Sequence, residues 1–289
     1  MKAEMVLACG NRLGEGPIWD GGRGLLFWVD IVGCAVHALD PESGEHQVWP
    51  TPEHVGSLSV RERGGLVLAL KNGFATLDLE SGAVEHIAEA EADKPDNRFN
   101  DGRCDRQGRF LAGSLPYSED KPLGALWRLD VDHRAEPVLT GITVSNGLCW
   151  SPDGRTMYFV DTPTREIVAY DYDTARGTPS SPRLFRKVED TPGWPDGSVT
   201  DSEGFVWNGE WDGARVVRYA PDGSVDRVIE VPARRATCVA LGGPDLKTLF
   251  ITTAWDRMSE AERAEWPLSG HLFAAPVDVP GLPDPLYRG

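Results

Sequence analysis

Short apolar runs, each closed by Asp, Gly, Pro or Ser, recur along the whole chain and fall into six imperfect units. The fourth unit carries the pattern most clearly, with Ser151-Pro152-Asp153-Gly154 followed by apolar runs at 157–161 and 167–171. The fifth repeats it with Asp201-Ser202-Glu203-Gly204 and runs at 205–207 and 216–219. Runs this short, rich in β-branched and aromatic side chains and bounded by turn residues, are strands rather than helices. A spacing of roughly 40–50 residues per unit is that of propeller blades. Three or four strands per unit, six times over, predict an all-β chain folded as a six-bladed β-propeller around a central channel. Residues 1–289 read as one such domain, with no linker. A strand at 5–9 is expected to complete the last blade, which removes the open sheet edges that make β proteins aggregate. The one good helix candidate is 259–266, where Ser259 and Glu262 have capping-box spacing and Pro267 stops the run. The proline-rich tail at 276–285 reads as irregular.

Charge and cysteine content narrow the partners. A formal net charge of −16 and the lack of a Lys/Arg run argue against nucleic acid. No apolar stretch reaches the roughly 18 residues needed to span a membrane. The first residues lack the apolar centre of a signal peptide, so the cytoplasm is the expected location. Five cysteines, widely spaced and without a Cys-x-x-Cys pair, read as reduced thiols. The chain is read as a monomer or a weak homo-oligomer acting on a small molecule.

Four oxygen-bearing side chains occupy matching places in the repeat. Asn100 precedes Asp101-Gly102, Asn146 precedes Gly147-Leu148, and Asp196 precedes Gly197-Ser198. A further glycine follows in each at Gly108, Gly154 and Gly204, and Glu15-Gly16-Pro17 opens a similar segment in unit one. The matching positions of units two and six carry Gly56-Ser57 and Thr237-Cys238, which are poor ligands. In a closed ring these positions converge on one axis. Two carboxylates with amide oxygens, completed by water, suit Ca²⁺ or another oxygen-seeking divalent ion. The plainer alternative is that Asn-Gly and Asp-Gly merely form turns. Other chemistries lack their signatures: there is no Gly-x-Ser-x-Gly elbow, no zinc-type His spacing among six histidines, and no glycine-rich nucleotide loop. Among ten tryptophans, Trp194, Trp211 and Trp255 are candidates to wall a sugar site.

These segments, in order Leu13-Gly14-Glu15-Gly16-Pro17, then 97–102 (Asn-Arg-Phe-Asn-Asp-Gly), Ser145-Asn146-Gly147-Leu148 and Pro195-Asp196-Gly197, resemble the SMP-30/gluconolactonase (regucalcin-like) family over nearly the whole length. The resemblance implies a propeller that holds a divalent metal in its channel and hydrolyses sugar-acid lactones. It implies Glu15, Asn146 and Asp196 as metal ligands, Arg98 and Asn100 as substrate-binding residues, and Asp196 as general base. Where some members carry an acid after the third unit's second strand, this chain has Tyr117-Ser118-Glu119-Asp120, and Glu119 is taken as the stand-in that contacts substrate. Ca²⁺ is the expected ion, with Zn²⁺, Mn²⁺, Mg²⁺ and Fe²⁺ as alternatives. Rival functions are a metal-dependent propeller esterase acting on other esters and a non-catalytic calcium-binding propeller.

Overall fold

A computed structural model describes residues 1–189 and 191–289. It contains six four-stranded antiparallel sheets, five of them built in chain order from the axis outward. The innermost strands are Gly14–Asp20, Val55–Val60, Asn97–Cys104, Ser145–Trp150, Trp194–Thr200 and Arg235–Gly242, in blades one to six. Blade six is finished by the N-terminal strand Glu4–Leu7, which pairs with Leu272–Pro276. The expected clasp between the two ends of the chain is therefore present, and the chain is a six-bladed β-propeller.

Burial follows distance from the axis. Every residue of the first inner strand, Gly14–Asp20, is buried, whereas the outermost strand of the same blade, His46–Pro50, is largely exposed. The apolar side chains gather into six clusters, one in each wedge between neighbouring blades. Ile18, Phe27 and Val29 of blade one meet Leu58, Leu66 and Leu68 of blade two. Trp19, Leu26 and Trp28 of blade one meet Ala240 and Phe250 of blade six. No single blade can bury its faces alone, so closure of the ring is what removes this surface from water.

The turn glycines behave as the repeat predicts. Gly108, Gly154 and Gly204 have φ of 83°, 72° and 82°, in the turns that leave the inner strands of blades three, four and five. The one helix, Glu260–Glu265, has Ser259 as N-cap and a complete Ser259–Glu262 capping box. No helix among the described residues is long and apolar enough to cross a membrane. The five cysteines are unpaired.

The proline-rich tail has a role that its irregular sequence does not mark. It crosses the end of the channel where the inner strands finish, with bridges Asp201–Gly281 and Arg61–Tyr287. Asp284 accepts from Arg103 Nη1 at 2.7 Å and from the Trp19 amide at 3.2 Å. Tyr287, fully buried, joins Phe74, Phe99 and Phe110 in the wedge between blades two and three. The tail seals this lower mouth and leaves the upper one, where the inner strands begin.

Candidate functional site

All six inner strands slip register near the upper mouth. The irregularity lies between Glu15 and Ile18, Val55 and Ser57, Phe99 and Gly102, Asn146 and Cys149, Pro195 and Ser198, and Ala236 and Val239. A bulge re-aims the side chain beside it. The recurring Asn/Asp-Gly segments are thus bulges within strands, not the hairpin turns such pairs usually form. Gly16 and Gly147 take φ of 55° and 64° there, which few other residues accept.

Blades two and six use the same device for packing. A side chain at Gly56 would meet the Phe99 carbonyl carbon at 2.4 Å, so glycine lets blade three come close. In blade six the Cys238 side chain fills the space beside Gly197.

Glu15, Arg98, Asn100, Asn146 and Asp196 all line one cavity of about 370 Å³ at the upper mouth, together with Glu119. Apolar Leu13, Leu115 and Val144 complete part of its wall. A relay of hydrogen bonds fixes the polar wall. Arg98 Nη1 donates to Asn100 Oδ1 at 2.7 Å, and Asn100 Nδ2 donates to Asn146 Oδ1 at 2.8 Å and to the Ser145 carbonyl at 2.9 Å. Asn146 Nδ2 donates to Thr162 Oγ1 at 2.9 Å, and that hydroxyl donates to the Pro195 carbonyl at 3.0 Å. Every amide is held in one orientation, and Asn146 Oδ1 keeps a lone pair for a further partner.

The carboxylates are answered less fully, Glu15 Oε2 accepting only from the Gly16 amide at 3.0 Å. Glu15 and Asp196 are 2% and 3% exposed, yet neither makes an ion pair among the described residues. Asp196 Oδ1 is buried without any hydrogen-bond partner. Burial, then the charge of Asp101, pushes the Glu15 carboxyl up to about 8. Burial, then the charges of Glu15 and Asp101, holds Asp196 well above the ordinary carboxylate range. Asp101 is itself a buried, raised carboxyl, which accepts from the Leu148 amide at 2.9 Å. No sequence signal marks it for a role, although it stands inside one of the repeated segments.

An orphaned carboxylate oxygen in a pair of buried acids is a site deficient in positive charge. Two carboxylates and an amide oxygen are hard oxygen donors, which fits a divalent cation of the Ca²⁺ or Mg²⁺ type. No group of three or more His, Cys, Asp and Glu side chains suited to a metal occurs among the described residues. The donor set here contains too few such residues to form one, because an amide supplies part of it.

Other wall residues were visible only in part from sequence. Trp194 and Trp211 line the cavity as expected, and each carries a guanidinium on its ring, Arg165 at 4.6 Å and Arg235 at 4.5 Å. Trp255 does not line it. Its ring is flanked by Arg12 at 5.7 Å and Arg263 at 4.2 Å, and its Nε1 donates to the Gly10 carbonyl. The next two residues, Asp256 and Arg257, line the cavity instead, and no sequence signal marked them. Glu119 receives a two-pronged ion pair from Arg257, at 2.7 and 2.8 Å, and lies 3.9 Å from Arg98 Nη2.

The profile of the SMP-30/Gluconolactonase/LRE-like region matches residues 13–255. The chain is 42% identical to 6-deoxy-6-sulfogluconolactonase of Pseudomonas putida, over 96% of this chain and 95% of that protein. It is 36% identical to regucalcin of Xenopus laevis, over 100% and 99%. The crystal structure of a calcium-binding protein, regucalcin, from Agrobacterium tumefaciens superposes with a TM-score of 0.95 at 30% identity, covering 100% of this chain and 98% of that one. With its profile match spanning the inner strands of all six blades, the chain belongs to the SMP-30/gluconolactonase/LRE-like family.

Proposed function

We propose that this protein hydrolyses a sugar-acid lactone to the open-chain acid with the help of one divalent cation. The observation that carries the reading is the buried Glu15–Asp196 couple, without an ion-pair partner among the described residues and with Asp196 Oδ1 orphaned, on the wall of a cavity whose polar face is Arg98, Asn100 and Asn146. Glu15, Asp196 and Asn146 Oδ1 would hold the cation, and Ca²⁺ suits that set best. When bound, such an ion polarises a carbonyl and lowers the pKa of water.

The protein's own groups do the rest. Arg98 is anchored through Nη1 to the Phe99 carbonyl and to Asn100, so its guanidinium is held rigidly at the cavity wall. It donates to the lactone carbonyl oxygen and stabilises the negative charge that gathers there during attack. Asn100 has committed its Nδ2 and one lone pair of Oδ1, leaving one acceptor site for a sugar hydroxyl. Asp196 Oδ1, free of partners, accepts a proton from the water that attacks the carbonyl carbon. The bond from that carbon to the ring oxygen breaks, the ring oxygen takes up the proton, and a hydroxy acid leaves. Trp194 and Trp211 offer apolar faces to the C–H surface of the sugar.

The test is a panel of aldonolactones assayed on metal-stripped protein and after adding back each divalent ion. Turnover should return with the ion, and Asp196→Asn should lower it by about 10³-fold or more, as loss of a general base with its metal contact does. Equal turnover with and without metal, or by Asp196→Asn, defeats the reading. A cation that binds tightly while no lactone or other ester is opened favours a calcium-binding propeller without catalysis, the second reading suggested by the structural relative.

A further inference from the structure

The second and third strands of blade four, Thr156–Asp161 and Glu166–Asp173, are joined at the upper mouth by a short corner running from Thr162 to Arg165. Little in it can move. Pro163 fixes one backbone angle of the tight turn Thr162–Thr164. Arg165 closes that turn in left-handed backbone, with φ of 60°, and its amide donates to the Thr162 carbonyl. The Thr162 amide donates to the Val144 carbonyl at 3.0 Å, and Thr164 Oγ1 donates to the Asp161 carbonyl at 2.8 Å. The Asp161 carboxylate accepts from the Thr143 and Val144 amides at 3.1 and 2.8 Å, which ties the corner to the segment entering the inner strand of its own blade.

Two side chains of the corner reach across the seam to blade five. Thr162 Oγ1 donates to the Pro195 carbonyl at 3.0 Å, one residue before Asp196. Arg165 Nη2 donates to the carbonyls of Thr191 and Gly193, both at 2.7 Å, and the guanidinium lies 4.6 Å from the centre of the Trp194 ring. The backbone that presents Asp196 is therefore gripped from blade four at 191, 193 and 195.

The direction of these bonds decides how Asn146 is turned. A threonine hydroxyl has one proton, and the Pro195 carbonyl, which can only accept, takes it. Toward Asn146 the same oxygen can then only accept, so the amide must turn Nδ2 to Thr162, at 2.9 Å. Oδ1 is left as the atom available to a cation. Asn100 Nδ2 enforces the same orientation from the other side, at 2.8 Å. Asn100 and Arg98, however, are the residues that have to engage a substrate. The partner that steers Thr162 is the carbonyl of buried Pro195.

We infer that Thr162 is a positioning residue for the cation site: its hydroxyl joins Asn146 of blade four to the backbone of Asp196 in blade five, fixing the orientation of one oxygen donor and its spacing from the other. This rests on the metal-dependent reading above and deepens it by naming what holds two of the three donors. Ca²⁺ and Mg²⁺ are told apart by the size and flexibility of the oxygen cage. The same hydroxyl therefore sets the preference between them.

Substitution separates the hydroxyl from the shape. Thr162→Val keeps the branched side chain but strands Asn146 Nδ2 and the Pro195 carbonyl, whereas Thr162→Ser keeps the hydroxyl. In calorimetric titration of metal-stripped protein with Ca²⁺, Thr162→Val should bind about tenfold more weakly than the parent, the scale of a stranded buried donor, and Thr162→Ser within about threefold of it. The ratio of Ca²⁺ to Mg²⁺ affinity should shrink in Thr162→Val alone. Hydrogen exchange of the Asn146 side-chain amide, followed by NMR on metal-free protein, should quicken in Thr162→Val and not in Thr162→Ser. Parent-like Ca²⁺ affinity in Thr162→Val, or an equal loss in Thr162→Ser, overturns the inference. Should Thr162→Val not fold, Thr162→Ala takes its place in each measurement. A parent that binds no divalent ion sinks the metal-dependent reading instead, and exchange of the Asn146 amide then decides whether Thr162 holds it.

Discussion

The two mouths of the channel bury charge on the same set of strands and treat it in opposite ways. At the lower mouth Arg103 is buried on the inner strand of blade three, and the tail brings Asp284 to within 2.7 Å of it. Its Nη2 donates to the carbonyls of Pro17 and Val239, and only Nε lacks a partner. Burial is the largest single influence and pulls the Arg103 pKa down, but Asp284, Cys238, Asp101 and Cys149 together hold the guanidinium above its ordinary value. At the upper mouth, three residues earlier on the same strand, Asn100 belongs to a wall whose two acids face no such counter-ion. A buried charge answered from within is part of the fold; one left unanswered is a place for a ligand.

The comparison can be broken first at the answered end. Arg103→Met or Asp284→Asn alone strands the other charge and should cost about 3–5 kcal/mol in urea denaturation. The double replacement with Met and Leu should recover most of that loss. Lactone turnover per folded molecule should stay near the parent value in all three. A single substitution that is as mild as the double, or that abolishes turnover while leaving stability intact, would mean that the lower mouth is not the structural plug described here.

At the unanswered end, substitution should have the opposite sign. The folded-state pKa of Glu15, about 8, lies above its ordinary value of 4.5. Between those values the folded protein keeps a proton that the unfolded chain has released. Stability of the cation-free protein therefore falls as pH rises through that window, by a few kcal/mol. Glu15→Gln has no such proton to lose, so cation-free Glu15→Gln should outlast the parent at pH 8.5 and match it near pH 5. Adding cation should rescue only the parent. Thermal unfolding at the two pH values, with and without Ca²⁺, checks the sign, and a parent whose cation-free stability rises with pH would contradict it.

The legible part of this molecule was the part written locally. Alternating apolar runs, turn glycines and the recurring bulge segments made the six blades and the four converging oxygens readable, because strand period and turn chemistry act over a few residues. What escaped was set by the ring. Glu119 meets Arg257 across 138 residues, and Arg103 meets Asp284 across 181. Neither pair has a spacing or motif, since it depends on which blades stand opposite and where the tail returns. Trp255 shows the same limit at short range. It adjoins two cavity residues in sequence, yet two guanidiniums hold its ring, and Asp256 and Arg257 take the wall.

Asp101 lies between the two regimes and offers the finest test. It follows Asn100 on the same bulge, accepts from the Leu148 amide, and feels Arg103 from below and the Glu15–Asp196 pair from above. Its negative charge raises both of those acids and should strengthen the pull on a cation without touching it. Asp101→Asn keeps an oxygen for the Leu148 amide and removes only the charge. Through a partly screened interior that charge is worth about 1–2 kcal/mol, so cation affinity should fall roughly tenfold while the fold is retained. Titration of metal-free protein with Ca²⁺ measures it directly. Unchanged affinity would mean that Arg103 already neutralises Asp101 and that the two mouths are electrically separate. A loss beyond a hundredfold would mean that Asp101 is itself a ligand, and the boundary between structural and functional charge would then lie one residue further down the strand.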